Sequence, residues 1–374
     1  MRQKQAVTRR SKGSRRLLAV TMALGLLLTA CGNGEDAPED APEEPADGDA
    51  TEDPADDETS DEDDGELAAD GEEMTLSLAH SYSTEHAHHR CGAEGLAEAV
   101  EAADVGLTIE IFPNSQLGGD ADRFTSVAAG DIDIDLQGAS AIAASYGPVG
   151  ITDAAYVFDD ADHVFEWLDT DAFTQLQEEA LDATGVHLLD AWWFGMRHFT
   201  ANEPLRHPDD FAGLRMRFPD TPRYLANAEA LGADAVAVAF EEVYLSLQQG
   251  VIDGQENPIP TIDDMNFVEV QDYVSLTGHQ AGFQFVIFSD ETWQQLSGGQ
   301  QDALLGAIRE VRAEDRQCIE DDEQALLDEW AETGALEIIE DVDRDAFIGV
   351  AEEYHVENLD GRELEIYESI RALR

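Results

Sequence analysis

Two arginines stand out as side chains that could bind an anion. Arg197 lies in WWFGMRHF, after the apolar run 186–193, and Arg217 lies in FAGLRMRFP. Arg215 and Arg217 alternate in an extended segment, so both face one side and Met216 faces the other. A guanidinium group can form two parallel hydrogen bonds with a carboxylate. Arg197 and Arg217 therefore predict a site for an organic acid, whereas Arg215 is expected to pair with an acid at the surface.

These arginines are conspicuous because the chain is strongly acidic. It holds 82 Asp and Glu against 21 Lys and Arg, a net charge of −61 at pH 7. Such a charge excludes nucleic acid as a partner, since binding to phosphates requires basic residues. Self-repulsion would oppose folding in dilute buffer, and molar salt screens it over roughly 3 Å. The composition therefore predicts a halophilic protein from a high-salt habitat.

A repeated pattern indicates how the chain is organised. The segment YLSLQQGVIDGQENPIP, 244–260, shares its spacing with FTSVAAGDIDIDLQGAS, 124–140. Each is typical of a helix that ends at a glycine, Gly130 or Gly250, and is followed by a strand. Two distant copies predict two related lobes rather than a solenoid. The wider alternation of strands and helices predicts an α/β fold with a mostly parallel sheet.

Polar side chains follow the strands of both copies. Ligands of open α/β sheets bind at the carboxyl ends of the strands, so two facing lobes should share one cleft there. Gln255, Glu256 and Asn257 are expected at this cleft, with Gln137 at the matching place in the first copy. His80 lies at the end of the first predicted strand, 74–81, and is expected beside them.

Aromatic residues near the cleft bear on the shape of the ligand. Trp192 and Trp193 point to opposite faces of a strand, so only one can meet the ligand, and we expect Trp193. Tyr82 and Phe240 also fall close to the expected cleft. Core packing is the alternative for all four. An aromatic wall would favour a ligand with an apolar or ring portion beside its carboxylate.

The region 190–279 resembles the solute-binding proteins of TRAP transporters (tripartite ATP-independent periplasmic, DctP family). The matching elements are WWFGMR, FAGLRMRFP, FEEVYLSLQQGVIDGQENP and EVQDYVSLTGH, with LSLAHS and IFPNSQLGG in the first lobe. The resemblance covers about 74–330. It implies a two-lobed periplasmic-binding-protein fold, with a cleft between the lobes and a long hinge-spanning helix.

The resemblance also implies roles for single residues. Arg217 would form a salt bridge with the ligand carboxylate, Asn257 would bond the same group, Arg197 would assist, and Phe240 would line the pocket. The protein would bind a small organic acid by hinge closure and deliver it to the small and large membrane subunits of a sodium-coupled TRAP permease. It would be no enzyme and need no cofactor. ITDAAYVFDD, 151–160, stands where many members carry a Pro-Phe pair, which leaves first-lobe specificity open.

The N-terminal segment predicts export. A basic stretch precedes the apolar run 17–30, which is too short to span a bilayer and is typical of a signal peptide over 1–30. Leu28-Thr29-Ala30-Cys31 resembles a lipobox, so Cys31 is expected to carry lipid on the outer face of the cytoplasmic membrane. Ser14-Arg15-Arg16-Leu17-Leu18 resembles a twin-arginine signal and leaves the export route, Sec or twin-arginine, open.

The remaining chain divides by composition and pattern. Residues 31–73 hold the lipidated cysteine and then an acidic stretch without basic or aromatic residues, expected to be a disordered tether. Residues 74–195 plus about 280–322 are assigned to the first lobe. Residues 196–279 plus about 323–374 are assigned to the second.

Two cysteines remain beyond Cys31. An exported protein permits a disulfide between Cys91 and Cys318, and two buried thiols are the equal alternative.

A histidine run offers the main competing function. His86, His88 and His89, within the run His80–His89 and beside Glu85, could make a zinc-capturing lipoprotein. Residues at i and i+2 fall on different helix faces, and no second cluster completes a site, so an exposed helix start is favoured.

An enzyme is the other alternative. A hydrolase is disfavoured because the chain lacks G-x-S-x-G and H-E-x-x-H motifs. Turnover would favour the enzyme, and ligand-induced closure without product would favour the receptor.

Overall fold

The structure, a computed structural model, describes residues 71–374. The predicted signal peptide, the lipidation site Cys31 and nearly all of the acidic tether lie outside the described residues. Within 71–374, no helix combines the length and the apolar character needed to cross a bilayer.

Within residues 71–374, nine strands form one mixed sheet. They are β1 (Met74–Ala79), β2 (Leu107–Phe112), β3 (Ile134–Gln137), β4 (Val186–Ala201), β5 (Arg215–Phe218), β6 (Asp234–Ala237), β7 (Gly254–Asn257), β8 (Tyr273–Ser289) and β9 (Glu337–Ile339).

Twelve α-helices cover this sheet in the described part of the chain. They are α1 (Glu94–Ala102), α2 (Asp120–Ala128), α3 (Ala139–Ala143), α4 (Ala161–Leu168), α5 (Asp171–Thr184), α6 (Pro222–Leu231), α7 (Val243–Gln248), α8 (Ile259–Asp264), α9 (Asp290–Trp293), α10 (Gly298–Thr333), α11 (Arg344–Asn358) and α12 (Gly361–Arg371).

Short helical turns complete the described elements. A π-helical turn, His88–Ala93, leads into α1, and 3₁₀ turns span Gly147–Asp153, Pro208–Phe211, Phe240–Glu242 and Phe267–Glu269.

The strand order is β2-β1-β3-β8-β4-β7-β5-β6, with β9 pairing to β8. The outer strands pair in parallel, β1 with β2 and β3, and β5 with β6 and β7. The central pairs, β3 with β8, β8 with β4 and β4 with β7, are antiparallel. The predicted α/β class is confirmed, but the expectation of a mostly parallel sheet is wrong at its centre.

The antiparallel pair β4 and β8, here called the central ribbon, joins two halves of the sheet. Residues Ile134–Gln137 of β3 pair with the end of β8, and residues Gly254–Asn257 of β7 pair with the end of β4. We call β1–β3 with their covering helices the first lobe, and β5–β7 with theirs the second. The register of the ribbon shifts between Trp193 and Gly195 and again between Arg197 and Phe199, so the alternation of side chains changes between the lobes.

Each lobe buries its own apolar cores. Trp192 and Leu304 belong to one first-lobe cluster, and Trp193 belongs to another on the opposite face of the sheet. Phe199 and Trp330 belong to two second-lobe clusters. The buried apolar area on both faces is the main stabilising term of each lobe.

Helix α10 runs through both lobes. Its 36 residues span about 54 Å at 1.5 Å per residue. A capping box between Ser297 and Gln300 begins the helix, and Gly334, with a φ of 71°, ends it. Ile308 packs in the first lobe and Trp330 in the second, as the long hinge-spanning helix of the predicted fold requires.

The last helices return the chain to the first lobe. Phe347 of α11 packs in a second-lobe cluster, whereas Ile366 and Ile370 of α12 pack in the first-lobe cluster that holds Trp167. The predicted second-lobe segment 323–374 therefore also contributes its final helix to the first lobe.

Candidate functional site

A cavity of about 390 Å³ lies between the two lobes. The first lobe contributes Ser81, Tyr82 and the start of α2 and α3, and the second contributes β5, α6, β7 and the segment 238–241. The central ribbon supplies its floor with Phe194, Arg197 and Gln284. Of the predicted binding residues, the cavity brings together Arg197, Arg217, Phe240 and Asn257.

The strand end Gln255-Glu256-Asn257 is wholly buried. Asn257 alone of the three lines the cavity, and its Nδ2 donates to Gln255 Oε1 at 2.6 Å. Gln255 Nε2 donates in turn to Thr200 Oγ1 at 3.1 Å. The polar row therefore consists of one residue at the cavity and two that hold it in place, since buried polar groups require partners.

Arg197 is tied to this strand end. Its Nη2 donates to Glu256 Oε1 at 2.8 Å, to the Glu256 carbonyl at 2.9 Å and to Asn257 Oδ1 at 3.0 Å. Burial opposes the charge, yet the Glu256 carboxylate raises the pKa of Arg197 above its ordinary value. In the same way, burial opposes but Arg197 lowers the pKa of Glu256 to about 2. The pair is therefore ionised and neutral overall, and it fixes the amide of Asn257.

Arg217 differs from Arg197 in that no carboxylate of the described residues pairs with it. It is only 3% exposed, and its Nε donates to the Val238 carbonyl at 3.0 Å. Among residues 71–374, no carboxylate lies within salt-bridge distance of it, and neither terminal nitrogen has a hydrogen-bond partner. Burial lowers the pKa of Arg217 to about 10. A buried guanidinium that lines a cavity without a carboxylate partner favours the binding of an anion.

Arg215, two residues before it, is exposed and pairs with Asp253 at 2.8 Å, as the sequence predicts.

Asp153 is a second carboxylate near Arg197. Its Oδ1 accepts a hydrogen bond from Gln280 Nε2 at 3.3 Å, and Gln280 Nε2 also donates to the Tyr224 hydroxyl at 2.8 Å. Within the described residues, Asp153 Oδ2 has no partner. Burial raises the pKa of Asp153 to about 7, although Arg197 opposes this shift.

Four acids line the cavity, and in the described structure none of them lies within salt-bridge distance of Arg217. Asp120 and Asp122 stand at the start of α2, and Asp220 and Glu241 belong to the second lobe. All four are exposed. Asp120 accepts from Arg123 Nη2 at 2.9 Å, whereas no cation lies within salt-bridge distance of the other three in the described structure.

Three predicted residues lie outside the cavity wall, which corrects their expected contact with a ligand. Gln137 is buried, and its Nε2 donates to Asp135 Oδ2 at 2.6 Å and to the Asp120 carbonyl at 2.9 Å. Trp193 packs in a first-lobe core cluster. The register of the central ribbon shifts directly after it, and Phe194 lines the cavity instead.

His80 is the third of these residues. Its Nδ1 accepts from the Tyr82 N–H at 3.2 Å, so its Nε2 donates to His89 Nδ1 at 3.1 Å. It supports the position of Tyr82, which does line the cavity.

The histidine run is buried, and the expectation of an exposed helix start is wrong. His88 Nδ1 pairs with Asp315 Oδ2 of α10 at 2.9 Å, and the ring of His86 stacks on Tyr82 with centroids 4.5 Å apart. Burial lowers the pKa of His80 to about 3 and also lowers the pKa of His86. No group of three or more metal-ligating side chains was found among residues 71–374. The zinc alternative therefore gains no support.

Cys91 and Cys318 are joined by a disulfide, with their Cα atoms 6.5 Å apart. The bond links the turn before α1 to the middle of α10. Arg90 Nη2 and Asp322 Oδ2, 2.6 Å apart, form an ion pair between the same two elements. Of the two alternatives that the sequence left open, the structure contains the disulfide.

Tyr224 and Gln284 were not predicted from the sequence, and both line the cavity. Thr221 caps α6 and Pro222 is its first residue, a start signal that places Tyr224 in the first turn beyond β5. Gln284 is the single polar residue in the apolar run GFQFVIF. Both signals were visible, but their meaning depends on which strand end faces the cleft.

Comparison with known proteins gives a family for the chain. The family profile described as "Bacterial extracellular solute-binding protein, family 7" (DctP) matches residues 78–360. The sialic acid-binding periplasmic protein SiaP of Vibrio cholerae is 34% identical over 243 residues, covering 63% of this chain and 74% of that protein. A solute-binding protein of Roseobacter denitrificans is 32% identical over 265 residues, covering 68% of this chain and 81% of the relative.

Solved structures agree with these relatives. The TRAP periplasmic solute-binding protein of Roseobacter denitrificans with bound L-galactonate superposes with a TM-score of 0.74 at 29% identity, covering 80% of this chain and 99% of that one. A TRAP periplasmic solute-binding protein of Polaromonas bound to D-erythronate gives a TM-score of 0.75 at 26% identity, with the same coverage of 80% and 99%.

Proposed function

The chain belongs to family 7 of the bacterial extracellular solute-binding proteins, and we propose that it captures a small organic acid in the cavity between its lobes. The members of this family are receptors, so this chain is a binding protein for transport rather than an enzyme. The named relatives bind sialic acid, L-galactonate and D-erythronate, all of which carry a carboxylate.

The observation that carries the proposal is Arg217. It is a buried guanidinium that lines the cavity and lacks a carboxylate partner in residues 71–374. A ligand carboxylate would supply the missing counter-charge through two hydrogen bonds to its terminal nitrogens. Asn257, whose amide is fixed by Arg197 and Gln255, would bond the same carboxylate.

Binding would also bring the lobes together. Arg217 and Asn257 belong to the second lobe, while Tyr82 and Ser140 line the cavity from the first. A ligand that contacts both walls stabilises the closed arrangement by its greater affinity for that state. The central ribbon and α10, which run between the lobes, are the elements that would bend.

The finer parts of the proposal concern location and delivery. Lipid at Cys31 would hold the receptor on the outer face of the cytoplasmic membrane, with residues 32–73 as its tether. The closed receptor would dock on the small and large subunits of a sodium-coupled TRAP permease. The acidic surface would suit both tasks to a high-salt medium.

A thermal-shift screen tests the ligand class. Small carboxylates and their neutral amides are compared in multimolar salt, for the wild type and for Arg217→Ala. An acid at a hundredfold excess over its Kd should add about 2.7 kcal/mol to the free energy of unfolding. Two charge-assisted hydrogen bonds contribute roughly 3 kcal/mol or more, so Arg217→Ala should weaken binding by about 100-fold or more.

Arg215→Ala is the matched control, because Arg215 lies on the same strand and is exposed. It should bind the acid as the wild type does. Equal stabilisation by acid and amide, or full binding by Arg217→Ala, would contradict the proposal.

A further inference from the structure

The charge balance of the cavity limits how many carboxylates a ligand can carry. Among residues 71–374, two basic side chains line it, Arg197 and Arg217. Arg197 is neutralised by Glu256, with Nη2 and Oε1 2.8 Å apart. Its Nη1 has no partner in the described structure, so it can donate a hydrogen bond to a ligand without adding net charge. Arg217 is therefore the lining cation that has no carboxylate within salt-bridge distance in the described structure.

The rest of the charged wall has the opposite sign. Asp122, Asp220 and Glu241 line the cavity, and within residues 71–374 none lies within salt-bridge distance of a cation. A ligand held by Arg217 that extends toward these acids meets hydrogen-bond acceptors. A second carboxylate there would lie near other carboxylates, and no basic side chain of the described residues would pair with it.

The neutral part of the wall adds further polar groups. Ser140 and Gln284 line the cavity together with Tyr82 and Tyr224. These groups can exchange hydrogen bonds with hydroxyls of a ligand at no electrostatic cost. The wall as a whole thus combines the guanidinium of Arg217 with many groups that accept hydrogen bonds.

We propose that the cavity selects acids with a single carboxylate whose far end carries hydrogen-bond donors, hydroxyl or ammonium groups, and that it rejects acids with a second carboxylate at that end. This inference rests on the proposed function and narrows its ligand class. Arg217 holds the carboxylate, and Asp122, Asp220 and Glu241 accept from the far end.

Matched acids test the inference by titration calorimetry, in the lowest salt in which the protein stays folded. Galactonate and galactarate differ only in a terminal CH₂OH or carboxylate, and erythronate and meso-tartrate form a shorter pair. The monocarboxylate of a pair should bind about 100-fold more tightly than its dicarboxylate. Equal affinity within a pair, within about threefold, overturns the inference while leaving the proposed function intact.

Neutral variants locate the discrimination. Asp122→Asn, Asp220→Asn and Glu241→Gln together should reduce the ratio of dicarboxylate to monocarboxylate Kd by about tenfold. Glu166→Gln, Glu178→Gln and Asp182→Asn remove the same charge from exposed positions on α4 and α5 that do not line the cavity. An equal change of the ratio in this control would assign the effect to net charge and overturn the inference.

A third arm separates the two kinds of far end. 4-Amino-3-hydroxybutyrate carries an ammonium group where 3,4-dihydroxybutyrate carries a hydroxyl. If the ammonium compound binds more tightly and loses most affinity in the triple cavity variant, the donor is cationic. If the dihydroxy compound binds more tightly, the donor is a hydroxyl, and the inference stands in either case. If the wild type binds none of these carboxylates, both the proposed function and the inference fall.

Discussion

The buried arginines near the equivalent strands β3 and β7 differ in whether a carboxylate pairs with them. Strands β3 and β7 are both four-residue buried strands, each preceded by a helix and a glycine and followed by a short helix. In the first lobe, Arg123 Nε pairs with Asp135 Oδ1 at 3.0 Å, and all its nitrogens donate to protein groups. In the second lobe, Glu256 of β7 pairs with Arg197 of the central ribbon, and Arg217 of β5 has no carboxylate partner within residues 71–374.

The difference separates structure from function. A paired buried arginine stabilises the fold only as long as its carboxylate remains, because the survivor of a broken pair is an uncompensated buried charge. Arg217 is such a charge from the outset, as its lowered pKa of about 10 indicates. The protein thus carries an unfavourable group in the absence of ligand, and the ligand removes that penalty.

Replacing Arg123 and Arg217 one at a time should give the largest difference in the free energy of unfolding. Arg123→Met leaves Asp135 buried without a cation and should lower the free energy of unfolding by about 3–5 kcal/mol. Arg217→Met removes an unpaired charge and should leave the stability of the ligand-free protein unchanged or higher. Denaturant unfolding at constant salt measures both.

Asp135→Asn added to Arg123→Met should recover part of the loss, since no buried carboxylate then remains. If Arg217→Met destabilised the ligand-free protein as much as Arg123→Met, the distinction between the two arginines would be lost.

Two carboxylates near Arg197, those of Asp153 and Glu256, should contribute to stability with opposite dependence on pH. Burial raises the pKa of Asp153 to about 7, so its folded form holds a proton that the unfolded chain releases near pH 4. Its contribution to stability is therefore present at low pH and lost as the pH rises to about 7. Arg197 lowers the pKa of Glu256 to about 2 against the effect of burial, so its contribution is present above about pH 4.5 and lost as the pH falls toward 2.

Unfolding of Asp153→Asn and Glu256→Gln as a function of pH checks these signs. Relative to the wild type, Asp153→Asn should gain about 1–4 kcal/mol between pH 4 and pH 8. Glu256→Gln should be most destabilised above pH 4.5 and approach the wild type in acid. Parallel profiles for the two variants would refute the assignment.

Much of this comparison could be predicted from the sequence. The matching spacing of 124–140 and 244–260 predicted paired strands behind Gly130 and Gly250, and both glycines have positive φ, 77° and 65°. The strand alternation in RMRF predicted that Met216 and Arg217 face opposite sides, and Met216 is indeed in the core. Local patterns were sufficient here because they depend on residues close in the chain.

Other parts could not be predicted because they depend on distant contacts. Trp193 was expected at the cavity, but a register shift in the central ribbon presents Phe194 instead. The histidine run gives no local signal of burial, since its cover includes Asp315 of α10, 227 residues from His88. The neutralisation of Arg197 likewise depends on Glu256 of β7. The sequence predicted that this strand ends near the cleft, but not its register with β4.

The smallest effect we predict concerns the two glycines. Alanine in the left-handed conformation costs roughly 1–2 kcal/mol, so both Gly130→Ala and Gly250→Ala should destabilise. A Cβ at Gly130 would lie 2.8 Å from Glu291 Oε2, whereas no atom lies within 4 Å of one at Gly250. Gly130→Ala should therefore be slightly more costly in thermal unfolding. A larger loss of thermal stability for Gly250→Ala than for Gly130→Ala would contradict this prediction.

The path of the chain through the central ribbon and α10 has an evolutionary consequence. The polypeptide enters the second lobe along β4, returns along β8, crosses again along α10 and comes back with α12. Neither lobe is therefore a contiguous segment, and no single recombination event can exchange one lobe for that of a relative. Exchange of a whole lobe would require joining the chain at several points, whereas single substitutions in the cavity wall leave its path intact.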